Sequence, residues 1–418
     1  MSRWLVGFVV LGACASRPAP VASTTPAPSS PSTVATVTQV RADAPGDPLA
    51  VAAAAYERGA AANTAWKFDE ATTDLDLALS IYQAQIPETD ERFLDTLIEL
   101  GRATRGASDW DRSEKVLRRW LAIVQAKGDR YEEARALNQL GLTVDQGGDP
   151  RGGMKLFEAA LAIDDELGLP DDDSEKNAHL HNLGLVLSDL NEHKRAAKLL
   201  ERVLVVDRAA DPVSVSTANT MHNLALTYRD SGDYATAKPL FESAIRILTA
   251  KVGANHPRLV PSLNGLAGTL LLLREYDEAE LLYGQVLAFP NLNPESRIIA
   301  LADLAVVETE TQRYDEAIVH LDESMSLLEK RYVAAGGHAE TIRTLIKRAE
   351  AHVALHNYTL ALRDTDAAIA MSMKINAGDR ANIAKTIDDA ADVWASVPTE
   401  AKRTKALQAR ARAVRAGK

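Results

Sequence analysis

The chain has 418 residues and a formal net charge of −11, with 46% apolar residues, 5% aromatic residues and one cysteine. The apolar fraction excludes wholesale disorder, and the single cysteine excludes a disulfide framework or a cysteine-based zinc cluster. The acidic balance argues against non-specific nucleic-acid binding. A core with few aromatics has to be built from small aliphatic side chains, which favours many closely packed helices.

The first fourteen residues have the organisation of a secretory signal. Arg3 gives a short positive start, and the apolar run from Trp4 to Ala13 is too short to span a bilayer as a helix. The residues Leu11-Gly12-Ala13-Cys14 resemble the lipobox of bacterial lipoproteins. That resemblance implies a signal peptide over residues 1–13 and lipid attached to Cys14, which would anchor the chain in the cell envelope, facing the periplasm at the outer membrane.

Two other interpretations of this start stay open. Cleavage after Ala13-Cys14-Ala15 fits an ordinary secretory signal and would release a soluble protein. A wrongly assigned start would leave a cytoplasmic protein.

The next segment is rich in proline, serine and threonine. Seven of the seventeen prolines fall within residues 15–48, and no hydrophobic period survives there. Such a stretch cannot bury a core, so residues 14–48 are predicted to form a disordered tether. As a flexible coil it would span roughly 30–35 Å.

From Leu49 onwards a small residue recurs at intervals of 38 to 44 positions. The first small residues of the units are Gly59, Gly101, Gly141, Gly184, Ala225, Ala267, Ala305, Ala349 and Ala391. A second small residue follows after twelve positions, at Ala71, Ser113, Gly153, Ala196, Ala237, Ala279, Ala317 and Ala361. Apolar residues between them recur at three- and four-residue spacing, which predicts two helices per unit that cross where the small residues meet.

An aromatic residue stands three positions before the second small residue in most units, as in Phe68, Trp110 and Tyr234. We expect it to fill the joint at the turn between the helices. The unit around Pro150 has a proline at this position and is the weakest inner match. Its second helix is predicted to be frayed or to start late.

This pattern is that of the tetratricopeptide repeat. The long period and the segments His222-Asn223-Leu224-Ala225 and Ala254-Asn255-His256-Pro257 resemble the kinesin-light-chain-like subgroup. The resemblance implies an all-α fold, a right-handed superhelical solenoid of about eight helix-turn-helix units over residues 49–378. Residues 379–418 would be a degenerate capping repeat with a basic C-terminal helix.

Arrays of this family bind protein or peptide partners on a concave surface lined by the first helix of each unit. The resemblance places polar residues near the first small position on that surface, where asparagines of the light-chain subgroup hold extended peptides. The candidates are Asn138, Gln139, His181, Asn182, His222, Asn223, Arg229, Asn264 and Asp303. The alternative is that these side chains only bridge neighbouring helices inside the array.

Enzyme chemistry has little support in the sequence. His179 and His181 are two positions apart, so on a helix they face different sides and make poor metal co-ligands. The acidic run from Asp171 to Asp173 indicates a solvated loop rather than a calcium site. No phosphate-binding loop, kinase motif or nucleophile elbow is present. We therefore expect no catalytic residues, cofactor, metal or small-molecule substrate.

Charge is distributed unevenly, since residues 401–418 hold seven bases and no acid. This tail is predicted to be helical and could contact anionic lipid headgroups or the acidic array. The alternative is that its cations suit the end of a terminal helix and keep the cap soluble.

The sequence thus predicts a non-catalytic scaffold, a lipoprotein that recruits protein or peptide partners at the cell envelope. Two alternatives stay open: an accessory factor for envelope assembly or secretion, and a regulatory subunit of an envelope enzyme or signalling complex.

Overall fold

A computed structural model describes residues 47–332 and 337–417 of the chain. Within these ranges the protein is all-α, with eighteen α-helices, two single 3-10 turns and no strand. The predicted signal peptide, Cys14 and nearly all of the tether lie outside the described residues. The described chain divides into an N-terminal unit, residues 47–212, and a C-terminal unit, residues 213–332 and 337–417.

The N-terminal unit consists of four helix pairs, in which each first helix packs against the second helix that follows it. In chain order the helices are α1 (Pro48–Thr64), α2 (Phe68–Gln85), α3 (Glu91–Gly106), α4 (Trp110–Lys127), α5 (Arg130–Gln146), α6 (Pro150–Glu166), α7 (Ser174–Asp189) and α8 (His193–Ala210).

The C-terminal unit consists of five helix pairs of the same kind. Its helices are α9 (Val215–Asp230), α10 (Tyr234–Val252), α11 (Val260–Leu272), α12 (Tyr276–Leu287), α13 (Pro294–Glu310), α14 (Tyr314–Tyr332), α15 (Ala339–Ala354), α16 (Tyr358–Ile375), α17 (Arg380–Ala395) and α18 (Ala401–Arg415).

Aspartate is the N-cap residue of most helices in the N-terminal unit. At α4, for example, the Asp109 carboxylate accepts a hydrogen bond from the Arg112 backbone N–H. Such a cap satisfies a donor that has no partner within the helix. The capping aspartates of this unit are Asp47, Asp90, Asp109, Asp129, Asp149 and Asp173.

The small residues of the repeat pattern are buried wherever they recur. A Cβ added to Gly101 would lie 2.5 Å from Leu117 Cδ2. One added to Gly153 would lie 2.9 Å from the carbonyl oxygen of Gly141. The two helices of a unit therefore meet closely at these residues, which confirms the crossing predicted from the sequence.

Each first helix of the first eight pairs ends in the same Schellman motif. After α3, the Ser108 N–H donates to the carbonyl of Arg105 (3.0 Å) and the Asp109 N–H to that of Thr104 (2.9 Å). The residue seven positions after the first small residue takes a positive φ in every one of these turns. It is Trp66, Ser108, Gly148, Asn191, Gly232, Arg274, Gln312 or His356.

Glycine is the usual residue at this left-handed position, yet only two of the eight turns have one. The residue type therefore favours the left-handed conformation at Gly148 and Gly232 and gives no sign of it in the other six turns.

The predicted aromatic of each joint is the first residue of the second helix. A Cβ added to Gly106 of α3 would lie 2.3 Å from Cε1 of the Phe68 ring. It therefore packs against the end of the next first helix. The proline-initiated unit departs from our expectation, because α6 runs without interruption from Pro150 to Glu166. Proline in the first turn needs no backbone N–H, and Asp149 caps the helix, so a late or frayed start was the wrong prediction.

The last helix pair differs from the others where the repeat pattern breaks. Trp394 on α17 is 1% exposed. Arg403 occupies the position where other units have their second small residue, and its guanidinium lies 4.7 Å from the centroid of the Trp394 ring. A cation over an indole face is favourable, so Arg403 covers a ring that a further repeat would otherwise bury.

In the described ranges no helix combines the length and the apolar character needed to cross a membrane.

Candidate functional site

The predicted site residues all lie on first helices. Asn138 and Gln139 are on α5, and His181 and Asn182 are on α7. The remaining five, all in the C-terminal unit, are His222, Asn223 and Arg229 on α9, Asn264 on α11 and Asp303 on α13.

In the N-terminal unit the amides bridge helices. The Asn182 side-chain amide donates to Asn138 Oδ1 across 2.9 Å, and Asn138 is only 3% exposed. Gln139 accepts from Arg105 Nη1 at its backbone oxygen (3.3 Å) and its side-chain oxygen (3.1 Å). Burial lowers the pKa of Arg105 to about 10, with help from the charge of Arg102. These contacts between helices are of the kind that the bridging alternative describes.

His181 is half-buried beside Asn182. Burial lowers its pKa, against an opposing effect of the nearby Asp207 carboxylate.

In the C-terminal unit His222 makes a partly buried contact between helices. Its Nδ1 lies 3.1 Å from Ser262 Oγ on α11, and its ring meets the edge of Phe241 at a centroid distance of 5.6 Å. Burial lowers the pKa of His222 to about 4, and the positive charge of Arg229 acts in the same direction. The imidazole is therefore neutral at neutral pH.

Arg229 is 9% exposed and pairs through Nε and Nη2 with Asp230. Its Nη1 makes no hydrogen bond to any described residue. That atom lies 4.0 Å from where a Cβ would stand on Gly268, and the Tyr283 hydroxyl lies 3.6 Å from the same point. Because Gly268 has no side chain, it leaves a gap in front of two hydrogen-bonding groups.

Asp303 forms the other side of this cluster. Its carboxylate accepts from the Tyr283 hydroxyl (3.3 Å) and forms an ion pair with Arg343 of α15. Arg343 also donates to Glu340 (2.7 Å). Burial disfavours the charged guanidinium, but the two carboxylates outweigh burial and raise the pKa of Arg343. Desolvation also raises the pKa of the Tyr283 hydroxyl, which stays protonated.

Asn264 lies one helical turn before Gly268, so both face the same side of α11. Its Oδ1 is buried and has no hydrogen-bond partner among the described residues. A buried acceptor at Asn264 on α11 and a donor at Arg229 on the neighbouring helix α9 thus have no hydrogen-bond partner in the described part of the chain, and the donor lies next to the Gly268 gap. Backbone N–H and C=O groups of an extended peptide are the complementary pair. We call Arg229, Asn264, Gly268, Tyr283 and Asp303 the polar gap.

Of the residues in and beside the polar gap, Arg229, Asn264 and Asp303 are candidates from the sequence, whereas Gly268, Tyr283 and Arg343 are not. Gly268 directly follows the small residue Ala267, and a second small residue there was a usable signal. Tyr283 carried no such signal, because the equivalent position is a core position, with Leu or Phe in six of the other seven units.

Asn223 is half-buried on α9. As a pair, Asn182 and Asn223 occupy equivalent positions in the repeat. The proposal that they contact a ligand stays a prediction.

The histidine with metal-ligand spacing has a structural partner instead. His179 is fully buried, and its Nδ1 lies 2.7 Å from the Asp164 carboxylate on α6. Across residues 47–332 and 337–417, no group of three or more His, Cys, Asp or Glu side chains is placed to hold a metal ion.

Comparison with family models identifies the repeats directly. Residues 178–206 and 216–290 match models of the tetratricopeptide repeat. No curated protein matches the chain in sequence at a significant level.

Solved structures share the fold at low identity. RapI in its apo form has a TM-score of 0.63 and 13% identity over 88% of this chain and 99% of its own. NprR in complex with its cognate peptide NprX has a TM-score of 0.52 and 14% identity over 85% of this chain and 96% of its own. TPR-like repeats assigned to a kinesin light chain of Podosopora anserina are 19% identical over 49% of this chain and 98% of theirs, at a TM-score of 0.42. The predicted all-α class and repeat fold are confirmed.

Proposed function

Because residues 178–206 and 216–290 are tetratricopeptide repeats, we propose that the chain is a non-catalytic scaffold that binds an extended peptide segment of a protein partner. The polar gap of the C-terminal unit is its binding site. Helical repeat folds of this kind present long surfaces built for binding.

The observation that carries this proposal is the pair of unused groups at the polar gap. Leaving a buried acceptor such as Asn264 Oδ1 unpaired costs about 1–3 kcal/mol. A peptide N–H would remove that cost, and its carbonyl would accept from Arg229 Nη1. NprR, which shares this fold, has been solved in complex with its cognate peptide NprX, and this supports peptide binding by the present chain.

A linear peptide library displayed on phage and selected against the whole chain tests the site. Gly268→Leu would fill the gap, and Asn264→Ala would remove the acceptor. We expect each change to weaken the selected peptides at least tenfold. Peptides that bind Gly268→Leu as tightly as the wild type would exclude the polar gap as their site.

Gly284→Leu is the matched control. Gly284 lies on the exposed side of α12 in the same unit, with no heavy atom within 4 Å of an added Cβ. This variant makes the same change in a helical glycine away from the gap and should bind peptide normally. The double variant Asn182→Ala/Asn223→Ala tests the two equivalent asparagines in the same assay.

We further propose that the scaffold works at the cell envelope, anchored by lipid on Cys14. Support comes from the lipobox-like residues Leu11 to Cys14. Cells expressing the wild type or Cys14→Ser are grown with a radiolabelled fatty acid. We expect label on the wild type alone, and label that persists on Cys14→Ser would contradict the anchor.

A further inference from the structure

The last helix, α18, presents three cations with no partner. Lys402, Lys405 and Arg412 are exposed and form neither a hydrogen bond nor an ion pair with any described residue. The three other cations of the helix are engaged, since Arg403 covers Trp394, Arg410 donates to Met373 Sδ (3.3 Å) and Arg415 pairs with Asp388.

Helix-end electrostatics explain only part of this set. Positive charge is favourable at the C-terminal end of a helix and unfavourable at its N-terminal end. Arg412 lies in the last turn of α18, but Lys402 lies in its first turn and Lys405 just after it. The first turn holds no acidic residue to offset them. The simple capping interpretation therefore fails for Lys402 and Lys405.

The three cations share one side of the helix, because spacings of three and seven residues return to the same face. Ala411 on the other side is fully buried, and Leu407 and Val414 pack beside it against the core of the unit. The exposed side chains between the cations are alanines, such as Ala406 and Ala409. The result is a smooth cationic face about 15 Å long.

This face lacks what other partners need. Protein interfaces rely on large aromatic or arginine anchors seated in pockets, and no large apolar side chain lies between these cations. Single-stranded nucleic acid would need stacking aromatics, and the chain as a whole is acidic. A plane of anionic headgroups needs only positive charge near its surface.

We propose that Lys402, Lys405 and Arg412 bind anionic phospholipid headgroups, with α18 lying along a membrane surface. This contact is separate from the polar gap and from peptide binding. A lipid on Cys14 would keep the helix near such a surface, but the contact itself is a property of α18.

Flotation of the whole chain with vesicles tests the proposal. One set is pure phosphatidylcholine, and the other contains about 30% phosphatidylglycerol to supply surface charge. The test variant is Lys402→Gln/Lys405→Gln/Arg412→Gln. The matched control, Lys155→Gln/Lys194→Gln/Lys198→Gln, removes three exposed and unpaired lysines of the N-terminal unit. All proteins share the same N-terminal segment, so failure of the Cys14 anchor cannot mimic failure of α18.

The wild type and the control should bind anionic vesicles equally and lose binding at high salt. The α18 variant should bind about 100-fold more weakly, since each basic residue near an anionic surface contributes a factor of about five. Its thermal stability without lipid should not fall, because two of the removed charges oppose the helix dipole.

Equal binding by the α18 variant and the control would overturn the proposal. So would self-association of the wild type without vesicles that the α18 variant loses, because this result would assign the face to a second copy of the chain.

Discussion

The two units make the same helix crossing with different residues. The N-terminal unit has glycine at the first small position of all four pairs, and the C-terminal unit has alanine at all five. Glycine inside a helix costs about 0.5–1 kcal/mol relative to alanine. The N-terminal unit bears this cost because a Cβ at Gly59 would lie 2.6 Å from Leu75 Cγ, and one at Gly184 would lie 2.9 Å from Leu200 Cδ2. The repeat pattern thus requires the two helices of a pair to approach each other closely. The N-terminal unit meets this requirement with glycine and the C-terminal unit with alanine.

Charge separates the units as well. Residues 47–212 carry 32 acids and 20 bases, a net of −12, whereas residues 213–418 carry 25 acids and 24 bases. On α3 the acids Glu91, Asp95 and Glu99 follow one another at four-residue spacing. Burial raises the pKa of Asp95, and so do the charges of Glu91 and Glu132. At the polar gap of the C-terminal unit, by contrast, Arg229 pairs with Asp230 and Asp303 pairs with Arg343.

The largest expected difference between the units is a pH effect at His222. Its pKa is about 4 in the folded protein, against an ordinary value near 6.5. Between pH 6.5 and 4 the unfolded chain therefore binds a proton that the folded chain does not. The free energy of unfolding should fall by about 2–3 kcal/mol over this range because of this residue.

Urea unfolding followed by circular dichroism at pH 7 and pH 4.5 measures the effect. His222→Gln keeps a polar partner for Ser262 and should lose stability less steeply on acidification. Parallel pH dependence in the two proteins would show that His222 is not the source.

Adding a methyl group at the crossing tests the glycine–alanine contrast. Gly141→Ala would place Cβ 2.7 Å from Cε1 of the buried Phe157 ring. We expect a loss of about 2 kcal/mol from overpacking, even though alanine is the better helix former. Thermal and urea unfolding report it.

Gly284→Ala is the control, since the space around Gly284 is open. It should gain about 0.5–1 kcal/mol. A Gly141→Ala protein as stable as this control would mean that the helices can separate at little cost, and the contrast between the units would lose its physical basis.

The left-handed turn should behave alike in different repeats, here two repeats of the C-terminal unit. Gln312→Gly relieves a positive φ, and Gly232→Gln creates one that a side chain must adopt. We expect the first to stabilise by about 0.5–1 kcal/mol and the second to destabilise by about 1 kcal/mol. The melting temperatures of the pair should move in opposite directions. Shifts of the same sign would contradict a shared turn conformation.

An effect of similar size concerns a missing cap. Lys67 precedes α2 without a side-chain cap, whereas Asp109 and Asp149 cap the equivalent helices α4 and α6. Lys67→Asp should add a cap and a favourable charge, worth about 1 kcal/mol. Chemical denaturation measures it, and Lys67→Asn separates the hydrogen bond from the charge. No gain in either variant would argue against cap formation at this turn.

The sequence predicted the helix pairs because close crossings restrict residue size, and such a restriction is visible as a repeat of Gly59, Gly101 and their equivalents. It did not reveal the left-handed conformation of most turns, because backbone hydrogen bonds of the Schellman motif hold Trp66 and Arg274 in a conformation that neither residue prefers. The prediction of a weak second helix at Pro150 failed because a proline that breaks a helix interior is well suited to its first turn.

The sequence predicted which positions belong to the candidate site but not which of their side chains contact each other. Recurring carboxamides pointed to Asn182 and Asn223 from spacing alone. The bond between Asn182 and Asn138, and the reach of Arg343 to Asp303, depend on distances between helices that lie 40 or more residues apart in sequence. The gap at Gly268 exists because glycine has no side chain to fill the space.

The left-handed turns have a practical consequence. The turn residue is exposed in all eight cases, and its identity ranges from tryptophan to glycine while the backbone stays the same. Each turn therefore provides an attachment point that the fold already tolerates. Fluorophores at Arg274 and Gln312, one repeat apart, would form a molecular ruler for changes in repeat spacing when a partner binds.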